Sequence, residues 1–126
     1  MSDPDEPVRL LLVEDSDVYR DSLVYLLGMR SGVEVLGAVG DGASAVRSAR
    51  ELRPEVVVLD YRLPDEDGAS VASQLQLEGS EAAIVFLSAS AGRDEYDAAS
   101  STGAPLVRKD EGIDALVRAV RAAAGR

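Results

Sequence analysis

Five residues of this chain are of types that can do chemistry together: Glu14, Asp15, Asp60, Ser88 and Lys109. Each closes or follows a short aliphatic run. Asp60 ends Val56-Val57-Val58-Leu59, whose first three residues are β-branched, and loop material from Tyr61 to Gly68 comes next. Glu14 and Asp15 follow Val8 to Val13, Ser88 follows Ala83-Ile84-Val85-Phe86-Leu87, and Lys109 follows Leu106 to Arg108. Three carboxylates gathered in one crevice repel and raise one another's pKa unless a cation joins them. A hard, all-oxygen donor set suits Mg²⁺, which keeps several waters and is completed by phosphate oxygens. A carboxylate nucleophile, a divalent cation, a hydroxyl and an ammonium make up a phosphoryl-transfer constellation. Taken singly, each has an ordinary reading: an acidic helix start, a turn serine, a surface lysine. Their joint placement at successive strand ends is what carries the chemical reading.

That placement depends on the elements around them. The aliphatic runs, with a further one from Val33 to Val39, read as strands, and Val56 to Leu59 as one buried on both faces. Between them lie helical stripes. Tyr19, Leu23, Leu26 and Leu27 recur at i, i+4, i+7 and i+8, with Asp15 or Ser16 as the expected N-cap and Gly28 to Gly32 as the end. Ala45, Ala49 and Leu52 mark a second helix, and Gly68, Val71, Ala72 and Leu75 a third that Gly79 terminates. Residues 93–102 are poorly patterned and read as a short helix. Ile113, Leu116, Val117 and Val120 mark the last helix, with Asp110 as its expected N-cap. The result is β-α five times, the pattern of a parallel sheet covered by helices on both faces. The expected fold is therefore α/β: a five-stranded parallel sheet of order 2-1-3-4-5 sandwiched by five helices, doubly wound and flavodoxin-like. In that order the first and third strands adjoin at the switch point, so Glu14, Asp15 and Asp60 meet at one sheet edge.

Composition narrows the function. The 126 residues suffice for one domain with a core. No Cys and no His are present, which removes disulfides, thiolate or imidazole metal sites, Ser-His triads and a phosphodonor His. Lys and Arg number 13 against 23 Asp and Glu, a formal charge of −10, so this segment is not expected to bind nucleic acid directly. Nothing reads as a membrane span or signal sequence, and a soluble cytoplasmic domain is the expectation. Residues 1–7, with two Pro and three acids, read as a disordered tail.

At this point the chain resembles the receiver domain of bacterial two-component response regulators, over about Val8 to Ala124. The resemblance rests on Leu11-Leu12-Val13-Glu14-Asp15-Ser16, on Val57-Val58-Leu59-Asp60-Tyr61-Arg62-Leu63-Pro64 with Gly68 following, on Phe86-Leu87-Ser88-Ala89, and on Gly103-Ala104 with Lys109. It implies that residues 8–126 form a receiver domain, a signalling switch that catalyses only its own phosphorylation and dephosphorylation. It implies that Asp60 takes a phosphoryl group from the His of a sensor histidine kinase. Glu14, Asp15, Asp60 and the backbone carbonyl of Arg62 would hold Mg²⁺, Ser88 would hydrogen-bond the phosphoryl group, and Lys109 would neutralise it. Arg62, two residues past Asp60, stands where the family tunes phosphoryl lifetime, and it is expected to contact or shield the group. The resemblance also implies an output partner, and a homodimer is compatible with it. Three departures stand out. Leu106 occupies the place of an aromatic switch residue. Asp110 replaces a common Pro, as in the subfamily with a C-terminal helix-turn-helix output domain. The stretch from Gly103 to Lys109, containing Pro105, is one residue short.

Two alternatives remain at the level of sequence. Gly40-Asp41-Gly42-Ala43-Ser44-Ala45 fits a G-x-G-x-x-A dinucleotide fingerprint, and Asp60 lies 20 residues past Gly40, where a ribose-binding acid is expected. That reading leaves Glu14, Asp15, Ser88 and Lys109 without a role, and the fingerprint follows the second strand instead of the first. The other alternative is a scaffold receiver that binds partners without phosphorylation.

Overall fold

The aliphatic runs form the strands, and the stripes between them form the helices. The computed structural model describes residues 5–89, 97 and 100–126. In chain order the elements are β1 (Val8–Val13), α1 (Asp17–Gly28), β2 (Val33–Val39), α2 (Gly42–Leu52), β3 (Val56–Asp60), α3 (Gly68–Leu77), β4 (Ala83–Ser88), β5 (Leu106–Arg108) and α4 (Ile113–Ala123). Of the helix expected over 93–102, residues 97 and 100–102 are described, and they are helical. The rest of that expectation, like residues 1–4 of the expected tail, lies outside the described residues.

The strands pair in parallel in the order β2-β1-β3-β4-β5, the expected flavodoxin-like arrangement. Alternation along each strand divides the core between the two faces of the sheet. Leu10, Leu12, Val56, Val58, Val85 and Leu87 pack with Leu23 and Leu27 of α1 and with Leu116 and Val120 of α4. Leu11, Val13, Val57, Leu59 and Phe86 pack with Ala45 and Ala49 of α2 and Val71 and Leu75 of α3. Burying one Leu or Val of this kind contributes about 1.5–3 kcal/mol. With both faces covered, the central strands need apolar residues at every position, which is why they read as unbroken runs. In β2 the register slips: Leu10 faces Val35 but Leu11 faces Gly37, so Leu36 is an extra residue on the outermost strand.

Local chemistry fixes where the helices start and stop. Ser16 caps α1, accepting from the Tyr19 N–H at 3.3 Å, and so settles the choice between Asp15 and Ser16. Asp41 caps α2 through the Ser44 N–H, and Asp67 caps α3 through the Ser70 N–H, each at 2.8 Å. Helix α3 ends in a Schellman motif: the Gly79 N–H reaches the Gln76 carbonyl and the Ser80 N–H the Leu75 carbonyl, with Gly79 at φ 85°. The expectation for Asp110 needs correction. A 3-10 turn, Lys109–Glu111, intervenes after β5, and α4 starts after Gly112 at φ 90°. Asp110 pairs instead with Arg108 at 3.2 Å.

Candidate functional site

Strand register brings the candidate residues together as a staircase at the carboxyl edge of the sheet. Val13 is level with Leu59, so Glu14 comes level with Asp60. Asp60 is level with Leu87, which sets Ser88 one step further, and Ser88 is level with Arg108, which sets Lys109 one step further again. Polar groups here are deep: Glu14, Asp60 and Ser88 are 0%, 4% and 2% exposed, whereas Asp15 is exposed. Lys109 Nζ lies 2.8 Å from Glu14 Oε2 and 3.1 Å from Asp60 Oδ2. The other Asp60 oxygen, Oδ1, accepts from the Arg62 N–H at 3.1 Å, and Glu14 Oε1 accepts from the Ser16 N–H at 3.1 Å.

Carboxylate oxygens of Glu14, Asp15 and Asp60 lie within 4.8 Å of one another. Burial drives the Glu14 carboxyl above its usual value, against the pull of Lys109 and with the help of Asp60. Burial would lower Lys109, but the two carboxylates facing it prevail and its value is raised. Glu14 Oε2 is close to Lys109 as an ion pair, yet it is a buried oxygen with no hydrogen-bond partner of acceptable angle. Three carboxylates beside one ammonium leave two formal negative charges. A divalent cation with a preference for oxygen fits both observations: it matches the charge and takes up an unsatisfied buried acceptor.

The family model for the response regulator receiver domain matches residues 10–121. The chain belongs to the response regulator receiver family. Among curated relatives, this receiver is 33% identical over 125 residues to a Mycobacterium tuberculosis protein named "Probable transcriptional regulatory protein NarL", covering 95% of this chain and 56% of that one. It is 38% identical over 74 residues to a protein-glutamate methylesterase/protein-glutamine glutaminase of Anaeromyxobacter dehalogenans, covering 59% of this chain and 22% of the relative. The receiver thus spans between about a fifth and just over half the length of these two relatives. Among solved structures, the signal receiver domain of NarL from Mycobacterium tuberculosis superposes with a TM-score of 0.86 at 32% identity, over 96% of this chain and 99% of that one. The response regulator domain of Thermotoga maritima CheB shares the fold, with a TM-score of 0.83 at 24% identity over 95% and 98%. Among the described residues no helix is long and apolar enough to cross a membrane.

The receiver's departures now have positions. Leu106 pairs with Phe86 and packs against the buried cluster that contains it, so an aliphatic side chain fills the place where an aromatic was expected. Tyr61 meets Phe86 edge-to-face, with centroids 5.9 Å apart. Arg62 is exposed, and a short bridge to Asp67 closes the loop behind Asp60. Gly68 allows that closure: a Cβ there would lie 2.8 Å from Tyr61 Cα and 2.9 Å from the Asp60 carbonyl oxygen. The dinucleotide alternative loses its footing. Asp41 is spent as a helix cap, and the Glu66 carboxylate occupies the space beside Gly42 where a pyrophosphate would have to approach. Asp60 is engaged by Lys109 instead.

Two neighbours escaped the sequence reading. Arg20 of α1 donates to the Glu14 carbonyl at 2.8 Å and ion-pairs with Asp17. Tyr19 places its ring under Lys109, with Nζ 4.5 Å from the centroid. Both sit in the first turns after the Glu14-Asp15 pair, and that proximity was the available signal. The helical stripe assigns Tyr19 an inward position and nothing more.

Proposed function

We propose that this receiver is a phosphorylation-dependent switch in which Asp60 accepts a phosphoryl group from the phosphohistidine of a sensor histidine kinase. The observation that carries the reading is the convergence of Lys109 on both Asp60 and Glu14 inside a buried acidic crevice. An Asp60 oxygen attacks phosphorus in line. The P–O bond forms as the P–N bond breaks, and the His leaves with the electron pair and takes up a proton. A carboxylate is a weak nucleophile toward phosphorus, so most of the acceleration comes from placing reactants and opposing the charge on the transferred oxygens. Lys109 supplies one positive charge for that purpose. Glu14, Asp15, Asp60 and the Arg62 carbonyl are the groups that would hold Mg²⁺, which when bound supplies further charge neutralisation at the phosphoryl oxygens. Each Asp60 oxygen accepts one hydrogen bond, Oδ1 from the Arg62 N–H and Oδ2 from Lys109 Nζ, and in this reading Oδ2, the atom beside the ammonium, is the nucleophile.

Ser88, buried at the end of β4, is the hydroxyl that would bond the new phosphoryl group and pass its arrival to the chain that follows. The output would then be carried by a partner or by a further domain. The relative named as a transcriptional regulator points to an output in transcription, and the methylesterase relative to an enzymatic one. The intact set of Glu14, Asp15, Asp60, Ser88 and Lys109 supports a phosphorylated switch over a scaffold.

Intact mass spectrometry tests this directly. Incubated with acetyl phosphate and Mg²⁺, the wild type should gain the mass of one phosphoryl group, lost again on incubation with hydroxylamine. Asp60→Asn should gain none. Equal gain by the variant would remove Asp60 as the acceptor.

A further inference from the structure

Lys109 has an exacting position for such a flexible side chain. It follows β5, yet its ammonium must sit among carboxylates borne by β3 and β1. With strands about 4.8 Å apart, β1 and β5 are separated by roughly 14 Å. The lysine stem has four carbons and many rotamers, and an ammonium is otherwise strongly hydrated. Something besides the carboxylates has to select one arrangement, because an incoming phosphoryl group competes for the same charge.

Tyr19 offers that selection. It is the third residue of α1, and its backbone is fixed by the Ser16 cap. Its half-buried ring lies 4.5 Å from Lys109 Nζ, on which Glu14 Oε2 and Asp60 Oδ2 also converge at 2.8 and 3.1 Å. A ring face carries negative potential and attracts a partly desolvated ammonium without taking it out of play as a full charge would. The ring also belongs to the wall of a small, mainly apolar cavity of about 130 Å³ between α1 and α4, shared with Leu26, Ile113 and Leu116. It also packs against the buried cluster on the α1 and α4 side of the sheet, so it is held there while its face meets Lys109. Leu106 offers no ring from β5, and this one comes from the far side of the crevice.

We infer that Tyr19 is a positioning residue for phosphoryl transfer, its ring face holding the Lys109 ammonium over Asp60 before the phosphoryl group arrives. The inference rests on the reading of Asp60 as the acceptor. Its effect lies on the rate of phosphorylation, since the ring touches no reacting atom. A purely structural Tyr19 would show its loss in stability and leave the Lys109 side-chain protons unmoved, whereas the electrostatic role is kept by phenylalanine and is read at Lys109 itself.

The test uses Tyr19→Phe and Tyr19→Leu, with thermal unfolding to confirm that both are folded. With acetyl phosphate and Mg²⁺, Tyr19→Leu should be phosphorylated about fivefold more slowly than wild type, and Tyr19→Phe should recover the rate to within about twofold. A second readout needs no phosphoryl donor. The ε-methylene protons of Lys109 should be shifted upfield by the ring in wild type and Tyr19→Phe, and should return to ordinary lysine positions in Tyr19→Leu. If Tyr19→Leu is phosphorylated as fast as a competent wild type, the inference falls and the acceptor reading stands. If the wild type gains no phosphoryl group, both fall. Unshifted Lys109 protons in the wild type overturn the inference even if Tyr19→Leu fails to fold.

Discussion

The two edges of the sheet hold charges in opposite ways. At the amino edge the cations match or outnumber the carboxylates they meet. Arg9 meets Glu55 at 3.6 Å, Arg126 meets the same carboxylate at 2.9 Å, and Arg50 of α2 meets Glu78 beyond α3 with both side chains about half exposed or more. Arg9, Arg50, Arg53, Glu55 and Glu78 are among the residues lining a cleft there of about 650 Å³, larger than the one of about 130 Å³ beside Lys109. At the carboxyl edge Glu14 and Asp60 share one ammonium, almost without access to water. Size of cleft and chemical potential for reaction therefore point to different ends of the sheet. Water and a single matched partner make the exposed Arg50–Glu78 pair nearly neutral in energy. Burial with too few cations makes the carboxyl edge costly, and a fold keeps such a cost where charge is to be received.

The largest expected break in this contrast comes from Lys109→Met. Removing the ammonium leaves Glu14 and Asp60 buried beside each other, and denaturant unfolding without divalent cations should show a loss of roughly 2–3 kcal/mol, somewhat less than for a fully buried pair. A loss no greater than that of Arg50→Met would erase the distinction between the edges.

A smaller effect is read from pH. The Glu14 carboxyl is raised above its ordinary 4.5, chiefly by burial. It therefore binds its proton more tightly folded than unfolded. Its stabilising contribution is whole below 4.5 and fades as pH climbs through the raised value. Glu14→Gln should flatten that part of the urea-midpoint profile, and a profile parallel to wild type would mean that burial does not strain the carboxyl. The smallest effect belongs to the amino edge: a double-mutant cycle on Arg50 and Glu78 should give a coupling under about 0.5 kcal/mol. A coupling several times larger would make this pair a structural clasp between α2 and the end of α3.

Much of this edge was legible because parallel strands are uniformly apolar and stop abruptly. A carboxylate after Leu59 or Val13 is conspicuous for that reason, and strand order then does the assembling. What stayed hidden depends on contacts between distant parts of the chain. Tyr19 and Lys109 lie 90 residues apart, and no local pattern distinguishes a ring that packs from a ring that also faces an ammonium. The depth of Glu14 was hidden too, since an acid at the start of a helix ordinarily faces water. Asp110 misled for a different reason: its type suits a cap, but a 3-10 turn and Gly112 separate it from the helix it was expected to start.

The extra residue in β2 has a bearing on how this molecule behaves in company. Open sheets invite copies of themselves to add on, strand by strand, along any even row of unpaired backbone groups. Here one outer strand is only three residues long, and the other is thrown out of step where Leu36 has no opposite number. Neither margin offers a regular template, so growth of the sheet from chain to chain is discouraged by backbone geometry.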